Sequence, residues 1–483
     1  MQYNISNIDN KPNDSASFFK YITLPVTFKA NENLFFSITE ANITDYAGMY
    51  LVKQNGLTFK SKLSPDTIYN RISVRAKSPA YSPWRVFFIS NSPAGLIESN
   101  LLLNLNEPCK IDDAEYWIKP GKSVWSWWAE DRGFSADFNY QILSTNTVKY
   151  YIDFAKNNNF DYVILDGGWY GWFDANRDDA VHDITKSLPE LNLNEVAMYA
   201  ESKGIGLILW VLWYELERQL YEALDYYQSL GIKGIKMDFM DRDDQYMTGF
   251  YRKVAEECAK RKMFVMFHGA YKPDGLARTY PNILTYEAVL GNEYARWDGK
   301  LPNPDHNVKL AFTRLIAGPM DYTPGSFTNV SDENFIPSWK NPMTRGTRTH
   351  QMALSVVYES GILTLCESPK IYELYPEFDF LKKIPPTWDS TIFIDGNIAE
   401  YIIIARKHND KWFVGGINSN YAREVIFNLS FIESGKYNSV IYSDTEQNPE
   451  KVIITSKVLS NLNKLKIKMS KGGGFAAIFE KIK

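Results

Sequence analysis

Cysteine is scarce, with only Cys109, Cys258 and Cys366 among 483 residues. Three thiols so widely spaced exclude a disulfide framework and a thiolate zinc site, and they read as buried thiols. The five histidines show no zinc spacing, and there is no Gly-rich phosphate loop and no Ser-His-Asp arrangement that can be placed. No uninterrupted apolar run reaches the roughly 20 residues that a bilayer-spanning helix needs. The stretch Met1 to Asp14 is polar and has no basic segment followed by an apolar one, so no export signal and no membrane anchor is read from it. Charge of one sign is also lacking: 53 Lys+Arg stand against 57 Asp+Glu, a formal net charge of -4. The basic residues are scattered, which leaves a phosphate backbone without a footprint to bind. Nucleic acid and membrane are therefore not expected partners.

What is present is apolar and aromatic. Hydrophobic residues make up 45% of the chain, enough for packed cores, and the length suggests two or three domains. Aromatic residues reach 15%, with 13 Trp, 31 Tyr and 28 Phe, a supply of flat faces suited to cores and to stacking on sugar rings. From Lys20 to about Ile111 short β-prone runs dominate: Ile22 to Phe28, Leu34 to Ile38, Arg71 to Val74 and Trp84 to Ile89. After Lys119-Pro120-Gly121, eight apolar runs alternate with helical stretches. They are Val124 to Trp128, Tyr162 to Leu165, Leu207 to Leu212, Gly234 to Met237, Phe264 to Phe267, Ile283 to Tyr286, Leu315 to Ala317 and Ile362 to Leu365. The helical stretches are Thr145 to Asn157, Asn194 to Lys203, Tyr214 to Leu230 and Gln245 to Lys262, with Gly204 and Gly231 placed as helix stops. This alternation predicts an α/β fold, a (β/α)8 barrel. Beyond Pro385-Pro386 only strand character remains. The expected domains are an N-terminal β-sandwich over 1–112, the barrel over 113–383 and a C-terminal β-sandwich over 384–483.

In such a barrel, chemistry gathers where strands end at the carboxyl face. The residues there are mostly acids: Asp166 after strand two, Asp238 after strand four, Glu287 and Glu293 after strand six, and Asp321 after strand seven. His268 ends strand five. Any one acid could be a helix cap or half of an ion pair; several on one rim point to carboxylate chemistry. Cleaving a glycosidic bond takes two carboxyls, one to protonate the departing oxygen and one to attack or activate water. Asp238 and Glu293 are the candidate pair. Lys236, two residues before Asp238 and on the same strand face, would keep it ionised; a structural Lys-Asp pair is the alternative. Glu287 could share a divalent cation, such as Ca2+, with Glu293. It could equally pair with Arg278 or Arg296. His268 is a candidate substrate contact. Trp125, Trp127 and Trp128, with Trp169, Tyr170 and Trp172, bring rings to the rim; Trp127 and Trp169 are the candidates for sugar contact, together with Asp166 and Lys236.

The chain resembles glycoside hydrolase family 97, a group of calcium-containing, exo-acting α-glycosidases. The likeness is carried by Ile38-Thr39-Glu40-Ala41-Asn42, Leu103-Asn104-Leu105-Asn106-Glu107-Pro108, Trp117-Ile118-Lys119-Pro120-Gly121 and Val124-Trp125-Ser126-Trp127-Trp128. It continues through Arg278-Thr279-Tyr280-Pro281-Asn282, the segment from Glu287 to Glu293, Gly318-Pro319-Met320-Asp321-Tyr322, Arg345-Gly346-Thr347-Arg348 and Pro386-Thr387-Trp388-Asp389. The resemblance implies the retaining branch, because Asp238 ends strand four and His268-Gly269-Ala270-Tyr271 after strand five has no glutamate. It implies Asp238 as nucleophile, Glu293 as acid/base, and Glu107, Glu287 and Glu293 beside a calcium ion. The implied substrate is an α-galactoside of an oligosaccharide or glycoside, with a β-L-arabinopyranosidase, an α-glucosidase or a non-hydrolytic carbohydrate-binding protein as alternatives. It also implies a periplasmic or secreted setting, and an N-terminal sandwich that is incomplete beside that of the family.

Overall fold

The computed structural model describes residues 21–66, 72–129, 143–171, 182–445 and 448–482. Its centre is a seven-stranded parallel sheet, curved into a nearly closed barrel, formed by β1 (Gly121–Trp125), β2 (Tyr162–Leu165), β3 (Gly206–Leu212), β4 (Gly234–Asp238), β5 (Phe264–Phe267), β6 (Ile283–Tyr286) and β7 (Ile362–Leu365). Every residue of these strands is buried. That is why they read as continuous apolar runs rather than alternating ones. Helices α1 (Thr145–Asn157), α2 (Leu193–Lys203), α3 (Trp213–Ser229) and α4 (Gln245–Lys260) cover the outside of the sheet. Ser144, Asn192 and Asp244 cap α1, α2 and α4 with side-chain oxygens on early N–H groups, and Gly204 ends α2 at φ 71°.

The run Leu315 to Ala317 is not the strand its sequence predicts. It lies in a 3-10 turn over Arg314–Ala317. The place of the missing strand is marked by one parallel bridge, Met320 to Tyr286. Gly318 at φ 130° and Pro319 break the extended chain there, and the buried Arg314 guanidinium takes up the carbonyls instead. Among the N-terminal runs, residues 72–74 form no strand and Arg71 lies outside the described residues. Cys109 is exposed rather than buried, since the segment carrying it crosses the surface between domains.

Two three-stranded antiparallel sheets form the N-terminal domain. Tyr21–Ile22, Met49–Lys53 and Phe59–Leu63 face Val26–Asn31, Leu34–Ala41 and Trp84–Ser90 across a core of Ile22, Leu24, Val26, Ile38, Met49 and Leu51. The C-terminal domain is a six-stranded and a two-stranded antiparallel sheet. It packs on helix α6 (Arg348–Val357), every residue of which is buried, α5 being Pro304–Ala311. Ala353, Leu354 and Val357 share one apolar cluster with Ile402, Ile404 and Ile417. Arg406 caps the carbonyls of Val356 and Val357. No helix among the described residues is long and apolar enough to cross a membrane.

The N-terminal domain grips the two loops that leave β4 and β5. Lys272 pairs with Glu40 at 2.7 Å and stands 3.8 Å from Asp243. Gly48 donates its N–H to the Asp243 carbonyl at 2.7 Å, Ser64 donates to the Asp243 carboxylate, and the Ile43 N–H reaches Asp274 at 2.7 Å. Glu40 and Lys272 are both buried; Arg85 and the Met49 N–H also reach the Glu40 carboxylate, so removing Lys272 takes away one of three partners. Lys272→Met is expected to lower the unfolding free energy in urea by about 1.5 to 3 kcal/mol; a loss under about 1 kcal/mol would show that the clamp contributes little.

Candidate active site

Asp238 closes β4, and its carboxylate is fixed from three sides. The Trp210 indole N–H donates to Oδ2 at 2.8 Å, the Phe239 backbone N–H donates to Oδ1 at 2.6 Å, and His268 Nδ1 stands 3.3 Å from Oδ2. Burial alone would raise the pKa of this group. The His268 charge beside it, the more distant Lys236 ammonium and the Trp210 hydrogen bond outweigh burial and bring it down to about 2. Lys236 thus helps to keep Asp238 ionised, as the sequence led us to expect, but from a distance and without a hydrogen bond to it. Its ammonium donates to Asp166 Oδ2 at 3.0 Å, where the Trp125 indole N–H also arrives at 2.5 Å, and it lies 4.5 Å from the centre of the Trp125 ring. In a barrel of this type alternate strands fill a common layer of the interior, so an inward Lys on β4 meets the acid from β2.

His268 is the hub. Its Nδ1 faces Asp238 at 3.3 Å and Glu287 Oε2 at 3.5 Å; its Nε2 faces Asp321 at 3.7 Å and Glu293 at 3.8 Å. All five side chains are buried. Burial would lower the imidazole pKa, but the surrounding carboxylates, Glu287 foremost, push it up to about 10. Glu287 and Glu293 are shifted upward, first by burial and then by neighbouring acids, with His268 opposing. Donor atoms of His268, Glu287 and Glu293 lie within 4.8 Å of one another. Glu287 Oε2 accepts the Gly269 N–H at 2.7 Å, while Oε1 is buried and accepts no hydrogen bond among the described residues. That unused oxygen beside a second carboxyl suits a hard cation; an imidazole nitrogen does not.

Backbone shape makes the hub possible. Gly269 has φ 56°, and a Cβ there would come within 2.6 Å of the Phe239 nitrogen and 2.8 Å of Asp238 Oδ1. Only glycine lets the loops after β4 and β5 approach this closely. Glu293 rides on the 3-10 turn Asn292–Arg296 after Gly291.

The other expected site residues fall differently. Trp169 is fully buried, donates its indole N–H to the Trp210 carbonyl at 2.6 Å and packs edge-on against Tyr170. Its place in the structure is behind Trp210, as support. Trp127 is half-buried and stacks on Trp125, with the Arg296 guanidinium 4.4 Å from its ring centre. Glu107, expected among the ligands of an ion, is exposed and stands outside the close donor group. Its segment is tied to the β5 loop through its backbone: the Thr279 hydroxyl donates to the Glu107 carbonyl and the Lys110 N–H donates to the Thr279 carbonyl, both at 2.9 Å. Neither bond holds the carboxylate. Neither arginine considered for Glu287 pairs with it: Arg278 donates to Asn104, and Arg296 to the carbonyls of Trp127 and Trp339. Trp172 lies outside the described residues. Trp210 escaped sequence reading because nothing marks it within the apolar run of β3.

Three family models match the chain: Glycoside hydrolase 97 over 125–289, Glycosyl-hydrolase 97 N-terminal over 1–108, and Glycosyl-hydrolase 97 C-terminal, oligomerisation, over 387–480. A retaining alpha-galactosidase of Bacteroides thetaiotaomicron is 36% identical over 477 residues, covering 94% of this chain and 70% of that protein. A probable retaining alpha-galactosidase of Streptomyces bingchenggensis is 28% identical over 474 residues, covering 93% and 69%. The solved structure of a family 97 enzyme from Pseudoalteromonas sp. strain K8, in complex with acarbose, superposes with a TM-score of 0.88 at 28% identity, covering 96% of this chain and 75% of that one.

The charge on His268 has a sign that can be checked. Its folded pKa of about 10 lies above the ordinary 6.5, so its contribution to stability is complete below pH 6.5 and lost as pH rises towards 10. In EDTA, the unfolding free energy should fall across that window. In His268→Gln the decline should be at least halved; an unchanged slope would mean that the ring is neutral in the folded protein.

Proposed function

The chain belongs to glycoside hydrolase family 97, and from that premise we propose that it is a retaining α-galactosidase in which Asp238 is the nucleophile and Glu293 the acid/base. The observation that carries this reading is the divergence of two carboxyls around one imidazole. Asp238 is held ionised, with a pKa of about 2, while the Glu293 carboxyl is shifted upward by burial, the direction a proton donor requires. A double displacement needs these two states at once. In the first step an Asp238 oxygen bonds to the anomeric carbon, the glycosidic C–O bond breaks, and the Glu293 proton passes to the departing oxygen. In the second, Glu293 takes a proton from water, whose oxygen displaces Asp238 from the sugar with net retention.

Trp210 and the Phe239 N–H fix the attacking carboxylate, so its orientation is set before substrate arrives. Lys236 and Asp166, paired in the same layer of the barrel, offer one donor and one acceptor to ring hydroxyls. His268 faces both reacting carboxyls and contributes positive charge between them. The alpha-galactosidase name of the relative at 36% identity supports the choice of sugar, and an oligosaccharide or other glycoside is the substrate class.

The oxygens of Glu287 and Glu293 fit a calcium ion, and Glu107 would join them only if its side chain turned inward. Such an ion would supply fixed positive charge beside the acid/base.

Asp238→Ala should lose at least 1000-fold in kcat, of the order seen when a nucleophile is removed, and azide should restore part of it. Glu293→Gln should cripple hydrolysis of disaccharides while sparing aryl glycosides with good leaving groups. Full activity in either variant would end the assignment. A panel of nitrophenyl α-galactoside, α-glucoside and β-L-arabinopyranoside, with the first product anomer followed by NMR, should favour the galactoside and show retention. Prolonged dialysis against EDTA should lower both rate and melting temperature; if neither changes, calcium has no part.

A further inference from the structure

We propose that Asp321 is a substrate-binding residue whose carboxylate accepts a hydrogen bond from a ring hydroxyl of the glycosyl unit attacked by Asp238. The proposal rests on the reading of Asp238 as nucleophile and adds a determinant of which sugar is accepted.

Asp321 stands where an eighth barrel strand would end. Met320 before it bridges Tyr286, and its own N–H donates to the Tyr286 carbonyl at 2.8 Å. The backbone around it is stapled. The buried Arg314 guanidinium donates to the carbonyls of Tyr286, Glu287, Gly318 and Pro319, all at 2.9 to 3.1 Å. Burial brings that guanidinium down to about 9, and Glu287 beside it acts the other way. Asp321 and Glu287 thus share one rigid frame, and the position of the Asp321 side chain is set in advance.

That side chain is only 3% exposed and lacks what a buried carboxylate requires. Among the described residues, Oδ1 is buried with no hydrogen-bond partner and no hydrogen bond reaches Oδ2, which stands 3.7 Å from His268 Nε2. By contrast Asp166 accepts from Trp125, Lys236 and the Gly167 N–H, and Asp238 from Trp210 and the Phe239 N–H. An unsatisfied carboxylate in a preset place calls for a donor from outside the chain. A cation is the weaker fit: the close donor group is His268, Glu287 and Glu293, without Asp321. The charges that act on Asp321 are those of His268, Lys236, Asp166 and Asp238, the nucleophile and its surroundings. The donor that comes to that place is a sugar hydroxyl.

The test is a cycle between enzyme and substrate in the full chain. kcat/KM is measured for nitrophenyl α-galactoside and its 2-, 3-, 4- and 6-deoxy analogues, with wild type and Asp321→Ala, and with Asp321→Asn as the near-isosteric control for folding. A hydrogen bond to a charged acceptor corresponds to about 10- to 100-fold. Wild type should lose that factor on one deoxy analogue, and Asp321→Ala should lose it on the parent and nothing more on that analogue. If the two losses multiply for all four analogues, Asp321 touches no hydroxyl. If Asp321→Ala instead weakens calcium binding at least tenfold in chelator competition, Asp321 is a ligand of the ion, and the proposal is equally overturned. Should wild type cleave another glycoside of the panel, the deoxy series of that sugar serves. Should it cleave none, the glycosidase reading has failed by itself, and calorimetry with galactose and its deoxy forms, on wild type and Asp321→Ala, decides the hydroxyl contact separately.

Discussion

One buried imidazolium among four carboxylates is the interaction on which the catalytic face of this barrel depends. Asp238, Glu287, Glu293 and Asp321 all approach His268 within 4 Å, and without a cation their mutual repulsion would drive the loops apart or protonate most of them. The ring distinguishes its two sides. The Asp238 contact on Nδ1 is shorter and is reinforced by Trp210 and a backbone N–H, so the negative charge settles there. Glu293, at 3.8 Å from Nε2, is beyond hydrogen-bonding range, and burial favours its neutral form. The pKa values of two carboxyls of like intrinsic acidity are thereby pushed in opposite directions, which is what an attack coupled to proton donation demands.

The surrounding domains keep this arrangement in register. The loops bearing Asp238 and His268 continue into Asp243, Lys272 and Asp274, and each of these is held by the N-terminal domain. The carbonyls at the end of β6 are held by Arg314. C-terminal strands bury the far face of α6, so the barrel is braced on that side by apolar packing together with the Arg406 guanidinium on the last carbonyls of α6. The family that the chain belongs to is built from the same three matched regions.

Much of this was legible in the sequence, and the exceptions have physical causes. Four helices and six of the barrel strands fall where periodicity and caps put them, because a fully buried parallel strand is an apolar run closed by a polar residue and a glycine stop; β1 (Gly121–Trp125) begins three residues before its predicted Val124 to Trp128. Leu315 to Ala317 has the same texture and folds as a 3-10 turn, since the chemistry of Gly318-Pro319 and a buried arginine overrides local composition. Strand-end position found Asp166, Asp238, His268 and Glu287. It could not reveal that Lys236 turns to Asp166 and not to Asp238, for pairing across a barrel interior is set by layer, not by spacing along one strand. Trp210 carries no local signal. Residue type and motif marked Trp169 and Glu107 as contacts; the Trp169 ring is buried behind Trp210 and the Glu107 side chain is exposed, and neither placement is readable from the chain alone.

The central claim is that Asp238 becomes covalently bonded to the sugar while Glu293 handles protons. It is tested most directly by incubating the protein with a fluorinated α-galactosyl fluoride, whose intermediate forms faster than it hydrolyses, and mapping the label by peptide mass spectrometry. One glycosyl adduct is expected on the peptide spanning β4, with fragmentation placing it on Asp238. Stoichiometric labelling of Glu293 or Glu287 would contradict it, as would turnover of the reagent with inversion and no adduct.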